Sequence, residues 1–380
     1  MRILHIINGL SNGGTEGVLY RLILEDQLNE HCVLSLTDFG IYGQKLLDKG
    51  IKVEKFEFKK NLKTLKQLFL LYRFSKKINP DIIQTWMYHS DLVGGIVGKL
   101  IGTNAIFWGI RNSNLDKDKV PFSTRIIVKI NAILSNLIPT KIISCSVLAK
   151  NIHQKLGYSK AKTVVIPNGF DLNKFKPKNE SKLKLRSELK IDENTCLLGM
   201  IARWHHHKDH NNLFRALNLL NQISTTNWKI LLVGHLIDES NIDLMSNVKK
   251  YKLENHVIIL KERDDIETVY NAIDINILSS FGEAFPNVIA EAMGSGIPCI
   301  SSDVGDASLI IGKTGWLVEP NNYRLLMEIL SKSITEFIND KSSWSIRKVD
   351  CRERIQRKYS IERMVDSYIN LWNNHLKETE

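Results

Sequence analysis

Short apolar, β-branched runs alternate with longer amphipathic stretches from one end of the chain to the other. Apolar runs bounded by turn formers predict buried strands, and apolar positions three and four residues apart predict helices that cover them. In the first half this pattern predicts strands at 3–7, 32–36, 51–56, 81–85, 105–108, 141–145 and 163–166. Helices are predicted at 17–28, 62–78, 91–101, 123–137 and 147–156. The helix at 62–78 stops at Asn79-Pro80, because the residue before a proline avoids the helical region.

Pro167-Asn168-Gly169 interrupts this rhythm, and a polar, lysine-rich stretch at 173–190 follows and reads as a junction. The rhythm then restarts, with strands predicted at 196–201, 229–233, 257–260, 275–278, 299–301 and 316–318. Helices are predicted at 210–221, 241–251, 266–271 and 287–293, and helical patterns fill the rest, the final one at 361–375. Strand–helix alternation implies mostly parallel sheets with helices on both faces. A chain of 380 residues is long for one core and suits two α/β domains. The expected architecture is two Rossmann-like domains, 1–172 and 173–360, with a closing segment at 361–380. Sheets of this kind bind ligands beyond the carboxyl ends of their strands, so the loops after strands are where chemistry is expected.

Composition narrows the class. Hydrophobic residues make up 43% and charged residues 24%, the range of a folded soluble protein. The apolar run at the N-terminus is too short for a secretory signal core, and no stretch has the length and apolarity to span a bilayer. Cysteines 32, 145, 196, 299 and 351 show no metal or redox spacing and read as buried thiols in a reducing compartment. The net charge of +11 lies wholly in residues 1–172, whereas 173–380 are neutral. Such a one-sided field suggests an anionic partner: a phospholipid surface, a lipid-linked phosphate or a nucleic acid. The basic stretch 45–77 lacks an RNA-binding motif and regular aromatic interleaving, which argues against nucleic acid.

The densest chemical signal is Ser279-Ser280-Phe281-Gly282-Glu283-Ala284-Phe285-Pro286-Asn287-Val288-Ile289-Ala290-Glu291-Ala292-Met293-Gly294-Ser295-Gly296-Ile297-Pro298. It follows a predicted strand and opens a helix, whose first N–H groups and positive dipole end form a ready anion site. Glu291 lies among apolar helix residues, and a charge in such company requires a partner.

The Glu-x7-Glu arrangement of Glu283 and Glu291 resembles the donor-site motif of glycosyltransferase family 4, which has the GT-B fold. Three further segments carry the resemblance: Asn8-Gly9-Leu10-Ser11-Asn12-Gly13-Gly14-Thr15-Glu16, Ile166-Pro167-Asn168-Gly169-Phe170-Asp171, and Gly199-Met200-Ile201-Ala202-Arg203 with Lys208. Together they span nearly the whole chain.

The resemblance implies two domains facing each other across a cleft, with the final helix crossing back to the first. The N-terminal domain takes the acceptor and the C-terminal domain the nucleotide-sugar. Gly13 and Gly14 face the donor phosphates. Glu283 faces the hydroxyls of the transferred sugar, and Glu291 accepts from the ribose. Phe285, Pro286, Asn287 and Val288 complete the donor-binding segment. The chemistry agrees: breaking a sugar–diphosphate bond builds negative charge, which Arg203 meets as a planar fork and Lys208 as a point charge.

In the first domain His89 follows one predicted strand, and Arg111 and Asn112 follow the next. Relatives carry a histidine in one or both loops, so either His89 or the Arg111-Asn112 loop fills the catalytic position on the acceptor side. His205, His206, His207 and His210 invite a metal reading, but adjacent residues are expected to splay apart, and no carboxylate or cysteine set accompanies them. The expectation is a retaining, metal-independent transferase without a cofactor. Its substrates are a nucleotide-sugar, most simply a uridine diphosphate sugar, and a lipid-linked oligosaccharide. It works at the cytoplasmic face of the membrane in capsule, O-antigen or exopolysaccharide assembly. The basic, apolar helix at 123–137 is a candidate for docking on anionic lipid. The alternatives are an epimerase of the same fold and a nucleic-acid-binding protein.

Overall fold

The computed structural model describes residues 1–58, 63–113, 120–224 and 226–377, with the backbone alone at 63–65 and 377. It divides into two compact units, Met1–Gly169 with Ile361–Glu380, and Phe170–Ser360. The boundary thus falls at Gly169/Phe170, slightly before the junction read from the sequence at 172/173.

The first unit contains β1 (Arg2–Ile7), α1 (Gly14–Glu25), β2 (Glu30–Ser35), α2 (Gly40–Leu47), β3 (Lys52–Lys55), α3 (Lys63–Ile78) and β4 (Ile82–Trp86). It continues with α4 (Tyr88–Leu100), β5 (Ala105–Ile110), α5 (Phe122–Leu134), β6 (Lys141–Ser144), α6 (Val147–Lys155) and β7 (Thr163–Val165). All seven strands are parallel, in the order β3-β2-β1-β4-β5-β6-β7. The alternation of side chains along β1 divides the core. Ile3 and Ile7 join one cluster, and Leu4 and Ile6 join another.

The second unit contains α7 (Asn179–Glu188), β8 (Cys196–Ile201), α8 (His210–Ile223), β9 (Trp228–Val233), α9 (Ile242–Lys250), β10 (Val257–Leu260), α10 (Ile266–Ala272) and β11 (Ile275–Leu278). It continues with α11 (Asn287–Gly294), β12 (Cys299–Ser302), α12 (Ala307–Ile311), β13 (Trp316–Val318), α13 (Tyr323–Asn339) and α14 (Lys341–Tyr359). Its parallel sheet runs β10-β9-β8-β11-β12-β13. The final helix, α15 (Ile361–Lys377), belongs to the first unit, where Tyr368 and Trp372 enter the cluster built around Ile3, Val33 and Trp86.

In each sheet the strand order reverses once, at β1/β4 and at β8/β11. A crevice opens beyond the carboxyl ends of the strands at such a switch point. The loops there are 8–13 and Met87 in the first unit, and 202–209 and 279–286 in the second.

Several expectations require correction. Helix α1 starts at Gly14 rather than at 17, because Gly13 serves as its N-cap in an extended conformation. Helix α4 starts at Tyr88 rather than at 91. Met87 takes φ 77, turning the chain from strand into helix without a loop. Helix α5 ends at Leu134, short of 137. The stretch 173–190 is no simple linker, since it holds α7. The helix predicted from 62 is described from Lys63, and residue 62 lies outside the described residues. All five cysteines are free and buried, as their lack of metal or redox spacing led one to expect.

Candidate functional site

In the second unit the switch-point loops are tied together by their backbones. The amide of Phe281 donates to the carbonyl of His207 at 2.9 Å. The hydroxyl of Ser279 reaches the carbonyls of Lys208 and Asp209 at 2.9 and 3.1 Å. Asp209 takes a left-handed conformation, φ 49, and its carboxylate caps the start of α8 through the amide of Asn212. These contacts place Lys208 beside Glu283, Nζ to Oε1 2.5 Å, and the hydroxyl of Ser280 donates to the same oxygen at 2.8 Å. Both partners are mostly buried, so this pair is poorly screened by solvent.

Arg203 emerges exposed just after β8. Its backbone is crowded by Gly234, where an added Cβ would stand 2.4 Å from the carbonyl oxygen of Ala202 and 2.9 Å from the amide of Arg203. Glycine is needed there because the β9 loop crosses directly over the Arg203 segment.

Helix α11 opens with Pro286 as its N-cap, so the amides of Asn287 and Val288 lie in its first turn. Glu291 has the partner that its apolar surroundings demanded: the hydroxyl of the fully buried Tyr270 donates to its Oε2 at 3.0 Å. Phe285 departs from its expected role. Its ring is 7% exposed and packs between Phe170 and Tyr359, so it anchors the loop instead of lining it.

The histidines also differ from expectation. His205, His206 and His207 do not splay apart; their rings cluster, with His205 and His207 stacked and His206 tilted against both, and their ligand atoms lie within 4.8 Å of one another. The pKa of His205 is lowered by burial first and then by the nearby Arg203, His206, His207 and Lys208. The ring nitrogens of the three are close enough together to hold a metal ion. His210 is held apart from this cluster, buried against Trp204, and its pKa is pushed down to about 3 by burial.

In the first unit, the loop after β1 is fixed by Asp38, whose Oδ1 accepts from the amide of Leu10 and the hydroxyl of Ser11, each at 3.0 Å. Gly13 and Gly14 follow, at the first turn of α1. His89 is partly exposed in the first turn of α4, while the adjacent Tyr88 turns inward to His153 at 3.0 Å. Arg111, just past β5, sits over Trp86 with its Cζ 4.5 Å from the ring centre. It donates to Asn168 at 2.9 Å and to the hydroxyl of Tyr368. Asn112 beside it is half-buried.

Two family models match this chain in tandem. The N-terminal one, Glycosyltransferase Family 4, matches residues 13–174, and Glycosyl transferases group 1 matches residues 181–357. The chain belongs to glycosyltransferase family 4. Among its relatives is an Escherichia coli enzyme named UDP-Gal:alpha-D-GlcNAc-diphosphoundecaprenol alpha-1,3-galactosyltransferase. It is 26% identical over 318 residues, 82% of this chain and 80% of the relative. Another is the Staphylococcus aureus capsular polysaccharide biosynthesis glycosyltransferase CapM, 24% identical over 84% of this chain and 83% of its own. The crystal structure of Anabaena HepE with UDP superposes with a TM-score of 0.86 at 22% identity, covering 98% of this chain and 100% of that one. The fold is therefore that of a GT-B glycosyltransferase.

Four residues of this glycosyltransferase went unnoticed in the sequence. Asp38 and Tyr270 hold site segments from a distance in the chain. Gly305, at φ 61, lets the β12 loop lie against the carbonyls of Glu283 and Ala284, and the amide of Asp306 bonds to the latter. A lone glycine followed by an acid just after a strand was the only available signal.

Proposed function

We propose that this glycosyltransferase is a retaining, metal-independent hexosyltransferase. It moves a sugar from a uridine diphosphate donor onto a lipid-linked oligosaccharide during surface polysaccharide assembly. The observation that carries the reading is the Lys208–Glu283 pair at the carboxyl ends of β8 and β11, close in sequence to the first amides of α11. The E. coli relative is named for UDP-galactose and a diphosphoundecaprenol-linked acceptor, and HepE was crystallised with UDP, which supports both substrate classes.

In this mechanism the bond between the sugar's anomeric carbon and the β-phosphate oxygen breaks as the acceptor's hydroxyl oxygen bonds to that carbon on the same face. The acceptor's proton passes to the departing phosphate oxygen. Arg203, Lys208 and the amides of Asn287 and Val288 neutralise the charge that grows on the diphosphate. Donor phosphate draws Lys208 away from Glu283, which frees that carboxylate for the sugar's hydroxyls. Glu291, oriented by Tyr270, receives the ribose. Neither glutamate is placed as one of an opposed acid–base pair, which favours same-face attack over the inverting arrangement. With a guanidinium and an ammonium already at the diphosphate, no cation is required.

The acceptor is handled by the first unit, with His89 and the Arg111–Asn112 loop as its reactive-side groups. No helix among the described residues is long and apolar enough to cross a membrane. Attachment is peripheral, at the cytoplasmic face, through α5 and the basic charge of residues 1–172.

The deciding experiment measures nucleotide release from a panel of nucleotide-sugars, with and without a sugar-diphosphoryl-lipid acceptor. Release from one uridine diphosphate sugar that requires the acceptor, giving an α-linked product from an α-linked donor, is expected. Equal release without acceptor would move the chain to the epimerase reading, and an inverted product would overturn retention.

A further inference from the structure

Beneath Arg111 lies a row of buried polar groups that the reaction does not use. The indole Nε1 of Trp86 points at His5 Nδ1 at 3.2 Å, and His5 Nε2 meets His31 Nδ1 at 2.9 Å. His31 Nε2 lies 3.2 Å from Asp26 Oδ2, with both side chains essentially inaccessible. The row crosses from β4 through β1 and β2 to the C-cap of α1.

Its direction follows from chemistry. An indole nitrogen only donates, so His5 Nδ1 must accept. Burial first, and then the neighbouring His31, holds the pKa of His5 well below 6.5, so its ring is neutral and its one proton sits on Nε2. That proton is donated to His31 Nδ1, which leaves the His31 proton on Nε2, aimed at Asp26. Burial opposes ionisation of Asp26, but hydrogen bonds from His31 and Asn29 outweigh it and hold its pKa below the usual value. The Trp86–His5 and His5–His31 links then each have one donor and one acceptor, and His31 Nε2 comes within 3.2 Å of a carboxylate that Asn29 and the amide of Leu28 hold.

The far end is Trp86. Its ring stacks with Tyr368 at 6.1 Å between centres and supports the guanidinium of Arg111 at 4.5 Å. Arg111 spends two donor contacts on Asn168 and Tyr368, and a guanidinium has five N–H bonds. Fixing the tilt of Trp86 fixes the plane of a fork suited to phosphate.

We propose that Asp26, His31, His5 and Trp86 form a buried positioning chain that sets Arg111 as a phosphate-reading group of the first unit. This rests on the transferase reading above. The phosphate belongs to a substrate diphosphate, and separate Michaelis constants for donor and acceptor tell which one.

The test uses the full-length enzyme with a uridine diphosphate sugar and a sugar-diphosphoryl-lipid acceptor. R111K and W86F should each raise the KM of one phosphate-bearing substrate about tenfold, and W86F should leave kcat within about threefold of wild type. In the R111K background, W86F should add less than about twofold, because both changes act on one group. H5L should behave as W86F, and H5N, which keeps an accepting oxygen for the indole, should recover most of the loss. Multiplying effects of W86F and R111K, wild-type KM values in R111K, or equal damage to kcat and both KM values in W86F would overturn the proposal. Long-range NMR of 15N-histidine in the same chain reads the tautomers without any turnover. Protons on Nε2 of both His5 and His31 are expected, and Nδ1–H on either breaks the chain. If no nucleotide-sugar turns over while both tautomers are as stated and R111K lowers affinity for inorganic pyrophosphate, the transferase reading fails and the positioning chain stands.

Discussion

The ammonium of Lys208 and the carboxylate of Glu283 meet at 2.5 Å, and the hydroxyl of Ser280 donates to the same carboxylate oxygen at 2.8 Å. Each group therefore has a waiting partner until substrate arrives. Lys208→Met should lower kcat/KM about 100-fold, close to 2.7 kcal/mol, by removing a charge that meets the departing diphosphate. Glu283→Gln should lower it as well, and the double variant should lose less than the product of the two, because they share one contact. Steady-state kinetics of the three variants decide this. Fully multiplicative losses would mean that the pair does not work as a unit.

Glu291 and Arg203 should each be worth at least about tenfold in kcat/KM, or ~1.4 kcal/mol, when replaced by alanine. Tyr270→Phe removes only the hydroxyl that orients Glu291, so its loss should be smaller and confined to the KM of the donor. Wild-type rates in folded Glu291→Ala and Arg203→Ala would remove both from the site.

The strands were readable because most are buried on both faces and appear as largely apolar runs, β8 being a clear case. Helix α7 was not, since its buried anchor is Arg186. That side chain pairs with Asp274 at 2.9 Å and donates to the carbonyl oxygens of Ala272 and Thr195, contacts that no hydrophobic pattern reveals. The start of α4 was missed because Met87 adopts φ 77, a conformation with no signature in a methionine. The Glu-x7-Glu spacing was legible in the sequence, but the salt bridge from Lys208 to Glu283 depends on two loops meeting at the switch point of a sheet. His5 and His31 are still less visible. They come together through the parallel register that sets Ile3 beside His31 and His5 beside Val33.

Removing divalent cations should leave turnover intact. In the proposed mechanism Arg203 and Lys208 supply the positive charge at the diphosphate, and both also add to the burial that lowers the pKa of His205. Assays in excess EDTA, before and after adding Mn²⁺ or Mg²⁺, check this. Activity lost to the chelator and restored by either ion would show that the clustered histidines 205–207, or another group, hold a catalytic cation.

Asp91 makes stability depend on pH. It is fully buried on α4, and its Oδ1 accepts from the hydroxyl of Thr85 at 2.5 Å and the amide of Gly109 at 3.1 Å. Burial raises its pKa from 3.8 to about 7, against the opposing pull of those bonds and of Arg111. An acid whose folded pKa is raised favours the folded state while protonated. Its contribution is complete below the unfolded value of 3.8 and is lost as pH rises through about 7. The difference is at most about 4 kcal/mol. Asp91→Asn should therefore raise the melting temperature at pH 8 relative to wild type by more than it does at pH 4. An equal difference at both pH values would show that Asp91 ionises without penalty.

Helix α5 should carry the first unit onto anionic lipid. Val128, Asn131 and Ala132 face the core, while Phe122, Ile126, Ile130 and Ile133 form an outward stripe at helical spacing. Phe122 is 69% exposed and Ile133 73%, with Leu137 just beyond the helix at 71%. So much open apolar surface is costly in water, and Lys129 stands exposed beside it. A bulky apolar side chain gains roughly 1.5–3 kcal/mol when fully buried, and a basic residue at an anionic surface about 1 kcal/mol. The sum suits reversible, peripheral attachment that weakens with salt. In co-sedimentation of the full chain with phosphatidylglycerol vesicles, the double change Phe122→Ser with Ile133→Ser should weaken binding at least tenfold, and Lys129→Glu should weaken it by less. Both variants should keep wild-type turnover of a soluble, short-chain acceptor, since neither side chain belongs to the core. Equal binding of wild type to neutral vesicles would remove the electrostatic part of the argument. Unchanged binding by the double variant would move the docking surface away from α5, to the basic charge carried elsewhere in residues 1–172.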